Sequence, residues 1–133
     1  MENQQQNQNH IQLQMIAQQI GQMQNQLKMI DDQLNELTII KQGLNDLEKL
    51  KKGDEILAPL SNGIFIKSKL EDNKNLIVNV GGNTTAKKTV PEVKKMLDKQ
   101  MDELKKLQTN LLTELQGLNL QANYFENKIK SKK

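Results

Sequence analysis

The sequence predicts an α+β fold, a long antiparallel coiled-coil helical hairpin with two small β-hairpins at its closed end. Two observations predict this fold. Apolar residues recur three and four positions apart in two long stretches, as in the seam of a coiled coil. Between the stretches lies a glycine-punctuated segment at 54–89 with the alternation of β-strands. Since each seam needs another helix to cover it, the two stretches of similar length are expected to cover each other.

The first stretch predicts a helix over 11–52, preceded by a polar, flexible tip at 1–10. After Leu37 the next apolar residue is Ile40, so two three-residue steps follow each other and predict a locally overwound coil, a stammer. Three lysines followed by Gly53 predict the helix C-terminus. The predicted seam consists of Leu13, Ile16, Ile20, Met23, Leu27, Ile30, Leu34 and Leu37.

The middle segment, 54–88, predicts two β-hairpins. Strands are expected at 55–60, 63–70 and 75–80, with a weaker fourth at 84–88, because turn-forming residues separate these ranges. Two small hairpins with apolar faces are not stable alone in water, so we expect them to bury that surface against other chains. The predicted assembly residues are Leu60, Ile64, Phe65, Ile66, Leu70, Leu76, Val78 and Val80.

The second stretch predicts a helix over 90–131. Thr89 and Glu92 have the spacing of a capping box, and Pro91 lies in the first turn, where its missing N–H is not needed. Gln108 falls on the seam, and a polar residue there fixes the register unless its side chain turns to solvent. If Gly53 and Thr89 lie at the same end, facing residues have numbers that add up to about 141. The predicted seam is Leu97, Met101, Leu104, Gln108, Leu111, Leu115, Leu118, Ala122, Phe125 and Ile129.

Composition narrows the functional classes. The chain has 133 residues and no cysteine, so disulfides and thiolate metal sites are excluded. No apolar run reaches the ~20 residues that cross a bilayer, and the first residues do not resemble a signal peptide, which predicts a cytoplasmic location. No phosphate-binding glycine loop and no nucleophile with a base are present, so we expect no enzyme activity, no cofactor and no metal.

The net charge of +3 comes from lysine alone, without arginine. Lysines interspersed with acids on helix surfaces usually keep a helical protein soluble, and arginine is the preferred side chain for bidentate phosphate contacts. Binding to nucleic acid is therefore a minor alternative.

At this point the chain resembles the α class of prefoldin subunits. The resemblance covers nearly the whole sequence and rests on the helix, two-hairpin, helix plan and on the segments ILAPLSNGIFIKSKL and LIVNVGGN. The β class carries one hairpin. The segment TTAKKT departs from the family pattern, which often has a more apolar residue after the glycines, and this questions the stability of the fourth strand.

The resemblance implies an ATP-independent holdase. Two α-class and four β-class subunits would join through their hairpins, and the coiled-coil tips would capture unfolded client proteins and pass them to a group II chaperonin. Residues 3–27 contain no lysine, arginine, aspartate or glutamate, and their methionines are flexible and polarizable, which suits clients of no fixed sequence. The expected client-binding residues are Ile11, Leu13, Met15, Ile16, Leu120, Tyr124, Phe125 and Ile129.

Intrachain packing is an alternative explanation for half of this set. Leu13, Ile16, Phe125 and Ile129 lie on the seams, whereas Ile11, Met15, Leu120 and Tyr124 lie off them and are expected to be exposed. Two other functions remain open. A nucleic-acid-binding coiled-coil arm predicts strongly salt-dependent binding to RNA or DNA, and a structural, filament-forming rod predicts polymers rather than a discrete oligomer.

Overall fold

The predicted α+β class is confirmed by a computed structural model, which describes residues 2–130. Two long helices enclose four short strands in the chain: α1 (Glu2–Glu48), β1 (Glu55–Ser61), β2 (Ile64–Lys69), β3 (Asn75–Gly81), β4 (Thr84–Thr89) and α2 (Val90–Lys130). The strands form two separate antiparallel hairpins, β1 with β2 and β3 with β4.

Helix α1 begins earlier than the sequence predicts. The helix was expected over 11–52 after a flexible tip at 1–10, but residues from Glu2 onward are helical; residue 1 lies outside the described part of the chain. Gln6 is half-buried and Asn9 is buried, and both continue the three-and-four spacing of Leu13 and Ile16. The seam therefore extends into the polar tract through amide side chains.

Helix α1 also ends earlier, at Glu48, so the lysines that follow are not in its last turn. Backbone turns close the helix, with the Leu50 N–H donating to the Leu47 carbonyl at 3.1 Å. Gly53 has a φ of 94°, which favours glycine. Its N–H donates to the Leu70 carbonyl at 2.7 Å. Gly53 thus starts the base of the first hairpin rather than capping the helix.

The hairpins have regular registers that end in tight turns. Pro59 faces Phe65 in the first hairpin and Asn79 faces Thr85 in the second, and each register shifts by one residue next to its turn. Gly63 adopts a φ of 79°, a conformation that residues with a Cβ rarely adopt. The fourth strand, expected to be weak, pairs along its full length with β3.

The loop between the hairpins is held by Asp72. The pKa of its carboxyl group is lowered by a hydrogen bond from the Asn75 side-chain amide and by another from the Lys74 N–H. Because the folded pKa is depressed, the contribution to stability is present above the ordinary pKa and is lost as the pH falls through the lowered value.

Helix α2 begins with half of the predicted capping box: the Thr89 hydroxyl caps the helix, but the Glu92 carboxylate bonds to that hydroxyl, whereas a complete box has it accept from the Thr89 N–H. The Glu92 N–H donates to Thr89 Oγ1 at 3.3 Å, and this hydroxyl donates to Glu92 Oε1 at 3.1 Å. These bonds satisfy one of the free N–H groups of the first turn. The helix was expected over 90–131; it is described to Lys130, and residue 131 lies outside the described residues.

The chain divides into two compact units, which share both helices. The first comprises Met1–Leu34 and Asp102–Lys133 and the second Asn35–Met101. In the first unit the helices are antiparallel: Gln108 Nε2 donates to Asp31 Oδ1 at 2.7 Å, and these residue numbers add up to 139. The Gln108 amide thus links the two helices through an exposed hydrogen bond, one helical turn from the predicted neighbour Leu34, and its role in fixing the register stays a prediction.

In the second unit the hydrophobic core lies where the helices meet the hairpins. Leu44, Val90 and Leu97 are buried, and Leu76 of β3 packs against them. Lys41 Nζ pairs with Asp98 Oδ1 at 2.6 Å, and Lys94 pairs with Glu48. The core joins the base of the second hairpin to the helices.

The predicted stammer is wrong. Ile40 is exposed, and Lys41 is half-buried at the next seam position. Counted through Lys41, the seam keeps its alternation of four and three residues from Leu37 to Leu44. The aliphatic part of the lysine packs at the seam while its ammonium group reaches Asp98.

We expect Leu97→Ala to destabilise the protein by about 2–5 kcal/mol, because it leaves a cavity beside Val90, which is only 1% exposed. The matched control is Leu112→Ala, since Leu112 is exposed and its truncation should change stability by less than about 0.5 kcal/mol. Denaturant unfolding at a fixed protein concentration measures both. Equal effects of the two substitutions would contradict this assignment of the core.

Candidate functional site

The first unit exposes four apolar side chains near the end of the chain's helices. Each of them is at least 50% exposed, and Leu120 has the largest exposed fraction, 71%. The four residues are Ile11, Met15, Leu120 and Tyr124. Each lies off the seam, so the coiled coil does not cover it. Their predicted exposure is confirmed, and they offer apolar contact to another molecule.

The four predicted client-binding residues that lie on the seams are wholly or partly covered by the coiled coil. Ile16 is 5% exposed, and Leu13, Phe125 and Ile129 are half-buried. The rings of Tyr124 and Phe125 pack edge to face with centroids 5.3 Å apart. This contact links the half-buried ring of Phe125 to the exposed ring of Tyr124, and within the predicted set the off-seam residues are the more exposed ones.

A cation accompanies the exposed tyrosine. Lys128 Nζ lies 5.0 Å from the centroid of the Tyr124 ring, within the distance of a cation–π contact. On α1, by contrast, residues 3–27 contain no lysine, arginine, aspartate or glutamate. The exposed surface at this end is therefore apolar and rich in amides on α1, and it is partly cationic on α2.

A second exposed surface lies on the hairpins of the other unit. Leu60, Ile64, Phe65, Ile66 and Val80 are exposed, as predicted for residues that contact other chains. Within residues 2–130 each strand has one hydrogen-bonded neighbour, so each also has an edge that no other described strand covers. Free strand edges beside exposed apolar side chains favour pairing with another chain.

Leu70 does not belong to this surface, contrary to the prediction. Its side chain is only 8% exposed, because it lies at the base of the first hairpin, where its N–H donates to the Asp54 carbonyl at 2.9 Å. Leu76 is half-buried against the core, and Val78 is half-buried on the same face of β3. These side chains stabilise the unit itself.

Two exposed hairpin residues escaped the sequence analysis. Ile77 is 81% exposed and Leu57 is also exposed, each on the face opposite its half-buried neighbours. The alternation of a strand contained the signal, because Ile77 lies between Leu76 and Val78 and must point away from them. Both faces of the second hairpin thus carry apolar side chains.

A metal site and a membrane-spanning helix are two other features that the described residues could contain. In the range 2–130, no three histidine, cysteine, aspartate or glutamate side chains are grouped so as to hold a metal ion. Neither helix, over the same residues, contains a stretch apolar and long enough to span a membrane.

Comparison with known proteins gives a family and a fold. The model of a family described as prefoldin subunit matches residues 16–133. The chain is also similar to the cryo-EM structure of filamentous PFD from Methanocaldococcus jannaschii, with a TM-score of 0.77 and 19% sequence identity over 86% of this chain and 95% of that chain. A search of curated proteins gave no match.

Proposed function

The chain belongs to the prefoldin subunit family, a family of non-enzymatic chaperone subunits, and we propose that it is an ATP-independent holdase subunit that captures unfolded proteins. The observation that carries the proposal is the exposure of Ile11, Met15, Leu120 and Tyr124 at one end of the first unit. Apolar side chains that the coiled coil leaves uncovered can contact apolar segments of an unfolded chain. Methionine adapts to segments of different shape.

The subunit acts within an assembly. Its two hairpins favour the α class, and it joins β-class subunits, two α with four β, through the exposed hairpin residues. Since Phe65 and Ile66 lie next to free strand edges, both side-chain burial and strand pairing contribute to the contact. The assembly works in the cytoplasm and delivers its clients to a group II chaperonin, in keeping with the resemblance to the α class.

The proposal predicts that a denatured client protein aggregates less when it is diluted into the assembled complex. The suppression should need no nucleotide and should reach its full extent near one complex per client molecule. Light scattering during dilution measures it, with an equal mass of an unrelated coiled-coil protein as the control. Unchanged aggregation would reject the holdase function.

A filament is a second candidate form of the assembly. The similar structure from Methanocaldococcus jannaschii is filamentous, and in this chain both faces of the second hairpin carry exposed apolar residues, Ile77 on one and Val80 on the other. Two apolar faces allow contacts that do not close into a ring. Sedimentation velocity separates the two forms, because a single discrete boundary favours the closed assembly and a broad, concentration-dependent one favours the filament.

A further inference from the structure

We infer that one flank of the coiled coil in the first unit is a groove that binds an extended, uncharged polypeptide segment. The inference rests on the proposed function and deepens it, because it gives captured chains a path along the coiled coil beyond the exposed residues at its end. It is carried by the lining of the groove, by its lack of positive charge and by its continuity with Met15 and Tyr124.

The groove lies between α1 and α2 and has a volume of about 520 Å³. Its floor consists of the seam residues Met23, Leu111 and Leu118, which are half-buried. Its sides carry polar groups and one glycine. These residues are Gln19, Gln22, Gln26, Glu114, Gly117 and Gln121.

Gly117 has no side chain, so the wall that α2 forms is low at this position. A Cβ atom at this position would have no neighbouring atom within 4 Å, so the space beside it is open. Glycine within a helix costs up to about 1 kcal/mol relative to alanine, and no positive φ requires it here. The open space therefore interrupts the row of side chains along this flank of α2.

The glutamines of the rim are free to bind. No hydrogen bond within residues 2–130 engages the side-chain amides of Gln19, Gln22, Gln26 and Gln121. A primary amide both donates and accepts, so it matches the N–H and C=O groups of a peptide bond without reading a sequence. Among the described residues that line the groove, Glu114 is the one charged residue, and it disfavours acidic segments.

The spacing of the rim fits an extended chain. Gln22 and Gln26 are four residues apart on a helix, a rise of about 6 Å. Residues on the same face of a strand repeat every ~6.6–6.8 Å. Successive amides of the rim can therefore hydrogen-bond to successive peptide groups of an extended segment. A helical segment would not use these amides, because its backbone N–H and C=O groups already bond to one another.

The groove continues into the exposed apolar surface. Met15, Gln22 and Met29 are seven residues apart and so lie on one face of α1, and Gly117 and Tyr124 are related in the same way on α2. Met15, Met29 and Tyr124 are exposed. From Met15 to Met29 the track is about 21 Å long, enough for roughly six extended residues. An apolar contact at each end and amides between them suit a segment of mixed apolar and neutral polar residues.

The test uses the full-length chain in the oligomer that it forms and a labelled, capped peptide that alternates valine with serine. Fluorescence anisotropy should show that Gly117→Leu, which fills the groove, weakens binding at least about fivefold. Gly21→Leu is the matched control, because Gly21 also has open space around it but does not line the groove, and it should leave the affinity within about twofold. A peptide with glutamate in place of serine should bind more weakly than the neutral one.

A second pair of variants removes side chains rather than adding one. Gln22→Ala with Gln121→Ala deletes two rim amides and should weaken neutral-peptide binding about fivefold or more. Gln18→Ala with Gln116→Ala is its control away from the groove. If both double variants bind the peptide as tightly as the unmodified chain does, the groove is not the binding site, even where the aggregation assay still supports the holdase function. If the unmodified oligomer neither binds the peptide nor suppresses aggregation, the proposed function fails as well.

Discussion

Removal of residues 1–20 together with 122–133 is expected to abolish the holding of unfolded proteins and to leave the assembly intact. The deletion takes away Ile11, Met15 and Tyr124 and leaves the hairpins and the core around Val90 unchanged. Residues 1 and 131–133, which it includes, lie outside the described part of the chain. Aggregation of a denatured client measures holding, and sedimentation velocity measures the assembly.

A point-variant version avoids shortening the helices. Leu120→Ser with Tyr124→Ser should reduce client holding by more than about tenfold in effective concentration, since each exposed apolar side chain contributes about 1.5–3 kcal/mol when a client covers it. Ile39→Ser is the control, because Ile39 is equally exposed but belongs to the second unit. If the truncated chain holds clients as well as the full one, the binding surface lies elsewhere, on the hairpins or along the remaining helices.

Phe65→Asp with Val80→Asp is expected to dissociate the assembly while each subunit stays folded. Phe65 is 58% exposed within its own chain, so the substitution costs little in the isolated subunit. In the assembly the same side chain would be buried, and its loss removes about 1.5–3 kcal/mol per contact even before the cost of covering a carboxylate. A fall of more than about tenfold in association per contact follows.

Size-exclusion chromatography with mass measurement detects this dissociation, and circular dichroism checks that the helices persist. Ile39→Asp places the same charge on an exposed isoleucine away from the hairpins and should leave the mass of the assembly unchanged. Persistence of the full assembly with both hairpins altered would show that these residues do not form the interface. Loss of the helical signal would instead show that Phe65 or Val80 stabilises the folded subunit.

The apolar pattern predicted the helices well in their middle and poorly at their ends. Hydropathy identifies Leu13 and Ile16 as seam residues, but it does not identify Gln6 and Asn9, which continue the same spacing without apolar side chains. The same limit produced the stammer: Ile40 is the more apolar residue, yet Lys41 has the seam position, since its long aliphatic chain can pack there while the charge reaches Asp98. In these helices the three-and-four spacing predicts the seam residues better than the polarity of their side chains does.

The hairpins show the opposite limit. Glycines and turn residues predicted all four strands to within one residue at each end. The alternation along a strand separates two faces, but it does not say which face the protein's own core covers. Leu70 and Leu76 therefore looked equivalent to Ile66. Only the structure distinguishes them, because Leu76 packs against Leu44 and Val90 and Leu70 is buried at the base of the first hairpin.

Hydrogen bonds at the base of the first hairpin should limit how far a pull can separate the end of α1 from that hairpin. Gly53 and Leu70 are joined by a backbone hydrogen bond, the Leu70 N–H bonds to the Asp54 carbonyl, and Asn73 Nδ2 donates to the Leu50 carbonyl at 2.6 Å. A pull exerted on α1 while the hairpin is anchored would load these bonds in parallel with the covalent chain at 50–54. Since bonds loaded together yield at a higher force than bonds broken in sequence, the connection should stretch little before the end of α1 unwinds.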